Sequence, residues 1–492
     1  MNQPRRAIPR SAVLILLLAF VVVGQTAQPS IRVPFTRTEA MITMRDGIRL
    51  HTVVLTPQTQ TESLPILIDR TPYGVYEWNS DLVNNVYKEL VADGYTFVFQ
   101  DIRGKFGSEG QFVMVRPPRN TRDAKSSDES TDTYDTIDWL VKNLPRNNGR
   151  VGIFGGSYDG WLATMALIGP HPALKAASPQ APVGDFWMGD DFFHNGAFRM
   201  SYGYEYVKLV ETSKTLELVS FGDLDAYDLY LSLHPLSKLT AQLGGKLPTW
   251  NDFVAHPNYD SFWQQRAVKN YLNPATVPTL LVGGWWDQED LYGPLVTYQA
   301  LEKRDKKNLV FLVEGPWNHG GWRSRGRSLA QVDFGSDTGT YFRHEIEAPW
   351  FAYYLKGKGN LKQAEATIFQ SGTNKWMRYD AWPPRRNVRD ADLFLQASGQ
   401  LSFAKPGATE AFDTYTSDPV SPVPYRKRPV SAHYEPKGSG WYTWLAQDQR
   451  FLGQRADVQP GRLRRSNRTL LSPATSLHIS SRRLPELTVT GW

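Results

Sequence analysis

The sequence predicts an α/β protein: a largely parallel sheet with helices on both faces, interrupted by a helical cap and followed by an all-β region. Three observations point there. Short apolar runs alternate with amphipathic helical stretches from residue 41 to 168 and again from 277 to 356. Between 169 and 276 the alternation is lost and Phe, Tyr and Trp accumulate. Beyond 364 the chain turns to short strand-like runs separated by Pro- and Ser-rich turns. With 492 residues, 41% of them hydrophobic and 13% aromatic, the chain has material for a large core and two or three domains.

Residues 1–27 read as a secretory signal. Arg5, Arg6 and Arg10 form a basic head, residues 12–23 are uninterruptedly apolar, and cleavage is expected after Gly24 or Ala27. The run is short for a membrane span, although an uncleaved anchor is the competing reading. The expected location is periplasmic or secreted. There is no cysteine, so the fold rests on its core without disulfides, and thiol nucleophiles and thiolate metal sites are excluded. Of the formal charge of +6, the leader supplies +3 and residues 455–492 supply +5, seven Arg against Asp457 and Glu486. The body is therefore close to neutral at −2, which gives no case for a nucleic-acid partner.

Residues 41–55 read as two strands around the Asp46-Gly47 turn. A short buried strand at 65–68 leads into a loop, Asp69-Arg70-Thr71-Pro72-Tyr73-Gly74. Leu82, Val83, Val86, Leu90 and Val91 have helical spacing over 81–92, and Gly94 stops that helix. A strand at 95–99 runs into Asp101-Ile102-Arg103-Gly104. A helix comes next at 131–143, with Thr131 or Asp132 as its cap. Inside the cap, helical runs stand near 203–219 and 261–272. The sheet resumes with strands at 277–282 and 309–314, a helix at 294–303 between them and another at 342–356 after them. The runs at 366–370, 375–378 and 393–396 open the all-β region. These elements divide the chain into a core of 28–168 and 277–363, a cap of 169–276, a β-region of 364–458 and an Arg- and Ser-rich tail of 459–492.

The chemistry centres on Arg150-Val151-Gly152-Ile153-Phe154-Gly155-Gly156-Ser157-Tyr158-Asp159-Gly160-Trp161. This is a strand, a glycine-hinged corner, one serine, and a helix over 158–168. A serine there stands clear of the backbone, beside amides that stabilise an oxyanion. The stretch departs from G-x-S-x-G, since Asp159 fills position +2 and glycine comes at +3; a plain Gly-Gly-Ser turn is the alternative. A hydrolase of this topology needs an acid and then a histidine after later strands. Asp287 and His319 meet that order, each in a glycine-bearing loop past an apolar strand, and none of the other eight His is so placed. The expected oxyanion donors are the Tyr158 amide and the phenol of Tyr73, a residue that also fits a packed, rim-lining role.

Gly-Gly-Ser-Tyr-Asp-Gly-Trp, Arg-Thr-Pro-Tyr and Gly-Pro-Trp-Asn-His resemble the α/β-hydrolase family that contains X-Pro dipeptidyl peptidases, cocaine esterase and glutaryl-cephalosporin acylases. The resemblance implies a Tyr hydroxyl in the oxyanion hole and tolerates Asp159. Trp286-Asp287-Gln288-Glu289-Asp290, and Phe186-Trp187-Met188-Gly189-Asp190-Asp191-Phe192-Phe193-His194 at the opening of the cap, resemble α-amino acid ester hydrolases, acylases and transferases of β-lactam antibiotics. By that resemblance Asp191, Glu289 and Asp290 bind the substrate ammonium, with Asp190 the less favoured of its pair. Read without it, the acids also fit solvated or capping roles, or an oxygen-ligand metal site. No metal or cofactor is expected, and a homo-oligomer is carried from the resemblance alone.

Together these features imply a serine hydrolase or acyltransferase working through an acyl-enzyme, on an α/β-hydrolase fold with a helical cap and a C-terminal jelly roll that looks truncated. Family resemblance fades near Val458, and the tail reads like a shifted frame or an unusual extension. The alternatives are a general esterase or glutaryl-type acylase without ammonium selectivity, and a non-catalytic binding protein on a damaged hydrolase scaffold.

Overall fold

The computed structural model describes residues 32–119, 126–233, 235–243, 245–386, 388, 391–407, 414–434, 444–459 and 461–463. The expected leader, 1–27, and nearly all of the tail, 459–492, lie outside them.

Ten strands form one sheet: β1 (Phe35–Thr43), β2 (Arg49–Pro57), β3 (Leu64–Thr71), β4 (Thr96–Asp101), β5 (Asn147–Gly156), β6 (Leu174–Gln180), β7 (Thr279–Gly284), β8 (Val310–Gly315), β9 (Ala366–Gln370) and β10 (Lys375–Tyr379). Their spatial order is β1-β2-β4-β3-β5-β6-β7-β8-β9-β10. The first two strands form an antiparallel hairpin and β2 pairs antiparallel with β4. From β4 to β9 every pairing is parallel, and β10 closes the far edge antiparallel.

A parallel sheet must hide both faces, and the side chains divide accordingly. Ile66, Ile68, Val98, Val151 and Ile153 join one buried cluster with Ile137 and Leu140 of helix α3. Leu67, Phe97, Phe99 and Phe154, one residue out of phase, join a second cluster on the other face. That face is covered by helices α1 (Ser80–Val86) and α2 (Lys88–Asp93) and by a helical segment over 338–356; α3 is Glu129–Asn143. Its cap is Asp128, not Thr131 or Asp132. Asp128 accepts the Thr131 amide at 2.9 Å while the Thr131 hydroxyl accepts the Asp128 amide at 2.9 Å, a reciprocal box.

Three expectations about the sheet are corrected. The stretch 69–71 is strand rather than loop, because Arg70, fully buried, is satisfied by the Gln100 side chain, the Glu129 carbonyl and carboxylate, and the Thr133 hydroxyl. β6 lies inside the region read as cap, so the sheet extends past 169. Its sequence, LKAASPQ, is small and Pro-bearing with one large apolar residue, a poor strand signal, yet it pairs with β5 over Gly152↔Ala176 to Gly156↔Gln180.

The third correction concerns the β-region. The runs at 366–370 and 375–379 belong to the central sheet, β9 pairing with β8 through Leu312↔Ala366. Of the chain beyond, the described residues hold one small three-stranded sheet, Phe394–Gln396, Gln400–Ser402 and Arg462–Leu463, and no jelly roll.

The helix that follows Ser157 is α4 (Tyr158–Met165), and the cap comprises helices α5 (Met200–Glu211), α6 (Ala226–Ser232), α7 (Leu236–Leu243), α8 (Pro248–Ala255) and α9 (Ser261–Arg266). The runs expected at 203–219 and 261–272 are thus shorter. Tyr202, Tyr206, Trp250, Phe253 and Trp263 pack into a cluster shared with Tyr158 and Trp161 of α4. The C-terminal segment packs on the cap: Ala226 donates its amide to the Val430 carbonyl at 2.7 Å, and buried Glu205 accepts the amides of His433 and Tyr434. Among the described residues no helix is long and apolar enough to cross a membrane.

Candidate active site

Ser157 sits at the carboxyl end of β5, at the start of α4, with φ 66° and ψ −127°. A non-glycine residue holds such a conformation only when its surroundings enforce it. Two glycines make that possible. A Cβ on Gly155 would lie 2.6 Å from the Cβ of Asp159, and one on Gly160 would lie 2.3 Å from the Gln180 carbonyl oxygen. The glycine at +3 therefore serves helix-to-β6 packing, and Asp159 at +2 does not obstruct the corner. The Ser157 amide donates to the Gln180 carbonyl at 2.9 Å. The Gln180 side chain is itself held, donating to Glu347 and accepting from the Trp322 indole, both at 2.6 Å.

Asp287 and His319 come after β7 and β8, two and three strands along from β5. His319 Nδ1 lies 2.8 and 3.0 Å from the two oxygens of Asp287. That contact assigns the Nδ1 proton toward Asp287 and leaves Nε2 for proton transfer. The His319 ring packs edge-on to Trp322 at 6.1 Å between centroids, and Trp322 lies against Gly156. The loop of the histidine is thus pressed to the corner of the serine. Among the described residues no hydrogen bond runs from the Ser157 hydroxyl to the imidazole.

Tyr73 stands in the loop after β3, its hydroxyl 2.9 Å from that of Tyr206 on α5. Burial, with Asp159 nearby, holds its phenol well above the ordinary range, so it stays an O–H donor. Tyr158 is the first residue of α4, where helix amides lack intrahelical acceptors. Its hydroxyl is engaged elsewhere, accepting the Val115 amide at 2.9 Å.

The acids gather around His319. Asp191 and Glu289 are joined by one phenol: the Tyr202 oxygen lies 2.6 Å from Asp191 Oδ1 and 2.6 Å from Glu289 Oε2. A hydroxyl has a single proton to donate, so the two carboxyls share one donor. Burial raises Glu289 to about 7, with Asp191 and Asp287 adding to the rise and the His319 imidazolium opposing it. Asp290 is fully buried, has no hydrogen-bond partner on either oxygen among the described residues, and lies 3.9 Å from His319 Nδ1. Burial, then Asp191 and Asp190, push its pKa well up. Burial also works against a charged His319, but Asp287, Glu289 and Asp191 outweigh it and raise the imidazole to about 10. Among the described residues no group of three or more His, Asp or Glu is arranged to hold a metal ion.

Backbone geometry separates Asp190 from Asp191. Asp190 accepts three amides, from Gly184, Asp185 and Gly293, at 2.7 to 2.9 Å, which ties it into the scaffold. Asp191, at φ 45°, turns the other way toward Tyr202, and its amide donates to the Glu289 carbonyl at 2.9 Å. Asp287 has a second, structural role: its Oδ1 accepts the amides of Glu289 and Asp290 at 2.9 and 3.0 Å. One carboxylate therefore orients the histidine and shapes the acidic turn.

Sequence reasoning missed Tyr202, Tyr206 and Tyr434. Tyr434 packs at 5.9 and 5.8 Å, ring to ring, on Tyr202 and Tyr206. The i, i+4 spacing of Tyr202 and Tyr206 was the available signal, since it sets both on one helical face; nothing local marks Tyr434.

A profile of the X-Pro dipeptidyl-peptidase (S15) family matches residues 46–321. Cocaine esterase of Rhodococcus sp. (strain MB1 Bresler) is 28% identical over 452 residues, 86% of this chain and 73% of that protein. The solved aminopeptidase from the marine sediment archaeon Thaumarchaeota archaeon is 42% identical with a TM-score of 0.82, covering 89% of this chain and 74% of that one. A selenomethionine-labelled α-amino acid ester hydrolase is 38% identical with a TM-score of 0.81, covering 90% and 75%.

Proposed function

The chain belongs to the X-Pro dipeptidyl-peptidase (S15) family and is a serine hydrolase, and on that premise we propose that it cleaves esters and amides of α-amino acids bearing a free ammonium group, β-lactam antibiotics with an α-amino acyl side chain included. The observation that carries this reading is the Tyr202 bridge between Asp191 and Glu289, with Asp290, hydrogen-bonded to none of the described residues, beside it and His319 in contact with the group. Buried carboxylates next to a reacting carbonyl are complementary to a cation there. The likeness to an aminopeptidase and to an α-amino acid ester hydrolase supports the same chemistry.

In this reading Ser157 Oγ attacks the acyl carbonyl as His319 Nε2 closes on it and takes its proton. Asp287 holds the imidazolium, and the Tyr73 hydroxyl and Tyr158 amide stabilise the oxyanion. The alcohol or amine leaves with the proton from His319, giving a Ser157 ester. Water, or an acceptor amine such as a β-lactam nucleus, then releases the acyl group by the reverse proton path. The leader supports a site of action outside the cytoplasm.

The test is turnover of phenylglycine methyl ester against its N-acetyl form. The expected preference for the free amine is about a hundredfold or more in kcat/KM, the scale of an uncompensated buried charge. Equal rates would leave a general esterase or glutaryl-type acylase as the better reading.

A further inference from the structure

Arg323 lies four residues beyond His319 and ends a short turn, Gly321–Arg323. Its guanidinium reaches back to the nucleophile corner: a Cβ on Gly156, the residue before Ser157, would lie 3.3 Å from Nη2. Nη1 is 3.4 Å from the Tyr87 hydroxyl, and the guanidinium carbon is 5.9 Å from the Tyr87 ring centre. The residue is exposed. Among the described residues no carboxylate comes within the 4.0 Å of an ion pair with it. Arg70, Arg103 and Arg343, by contrast, are buried and bonded to Glu129, Asp132 and Glu89 at 2.6 to 3.1 Å. Desolvation at the corner opposes the charge of Arg323, and Tyr87, Asp69, Asp159 and Glu347 outweigh it. The three carboxylates do so from beyond ion-pair distance, without occupying its donors.

Resting on the reading above, we propose that Arg323 binds a carboxylate on the leaving group, so that the preferred amide substrates release an α-amino acid or another amine with an adjacent carboxylate. A guanidinium fork matches a carboxylate through two parallel hydrogen bonds. In a dipeptide the free carboxylate carbon is three bonds from the scissile carbonyl carbon, under roughly 4 Å, and Arg323 borders Gly156, the residue before the serine that attacks that carbon. The substrate's ammonium then faces Asp191, Glu289 and Asp290, and its carboxylate faces Arg323. A zwitterion of this length is matched at both ends.

The experiment measures kcat/KM for phenylalanyl-glycine, its C-terminal carboxamide and phenylalanine methyl ester, in the wild type, R323Q and R323K. The expected wild-type preference for the free acid over the carboxamide is about tenfold or more, as for a hydrogen-bonded charge. It should fall toward one in R323Q through KM and return in part in R323K. The idea is overturned if R323Q lowers all three substrates equally, if the free-acid preference is absent in the wild type, or if the wild type cleaves the methyl ester and neither dipeptide. Failure of the ammonium reading is seen separately, as equal wild-type rates on the methyl ester and its N-acetyl form.

Discussion

Asp287 meets His319 with both oxygens, at 2.8 and 3.0 Å from Nδ1, and one of those oxygens also accepts the amides of Glu289 and Asp290. The substitution Asp287→Asn keeps the volume, loses the charge that favours the imidazolium, and weakens the acceptor of two amides. Expected is a fall in kcat of roughly 10⁴-fold, as for a triad acid elsewhere, with a further rise in KM for α-amino esters as the acidic turn loosens. Steady-state kinetics on a variant of native circular dichroism checks both parts; a normal KM would separate the two roles of Asp287.

The bridge through Tyr202 carries a second prediction. Tyr202→Phe retains the ring and its packing on Tyr206 and Tyr434 but takes away the shared hydroxyl. Asp191 and Glu289 then face each other without the hydrogen-bond donor between them. KM for an α-amino ester should rise about tenfold, the worth of a hydrogen bond to a charged group, while an N-acetyl ester shows a much smaller change.

The pH dependence comes from the charges around His319. With the pocket empty the imidazole is raised to about 10 by Asp287, Glu289 and Asp191 against the effect of burial, so at neutral pH it carries a proton and is no base. On the proposed reading a bound ammonium offsets Glu289 and Asp191 but not Asp287, which removes part of the rise and moves the imidazole down. Since kcat/KM reports the free enzyme and kcat the complex, the acid limb for an α-amino ester should lie at lower pH in kcat than in kcat/KM. Glu289→Gln should lower the limb in kcat/KM. Coincident limbs in both parameters would refute the compensation.

Lys105, fully buried in the loop after β4, donates to the carbonyls of Val210, Ser213 and Thr215 at 2.7, 3.0 and 3.4 Å. It holds the end of α5, the helix that presents Tyr202 and Tyr206. Lys105→Met strands those acceptors, at a cost of about 2–4 kcal/mol. Thermal unfolding should shift down, and KM should rise more than kcat falls.

Much of the site was legible because its pieces sit where strands end. The elbow around Ser157 and the loops of Asp287 and His319 are marked by glycines and apolar runs, and Glu289 and Asp290 come just after the acid in sequence. What stayed hidden depends on reach. Asp190 and Asp191 are told apart only by which one the backbone amides of 184, 185 and 293 capture. The strand β6 escaped notice because small residues pack well between neighbours while carrying little strand propensity of their own. The runs at 366–370 and 375–379 had the composition of a separate β-domain; only pairing with β8 shows that they extend the main sheet.

Glu205 on α5 bonds the backbone of His433 across a sequence separation of 228 residues, and Tyr434 rests on the tyrosines of the acidic pocket. The wall is therefore assembled from segments that leave the ribosome far apart in time. A nascent chain released at residue 400 would own Ser157, Asp287 and His319, and would still lack the aromatic ring that closes over Tyr202 and Tyr206.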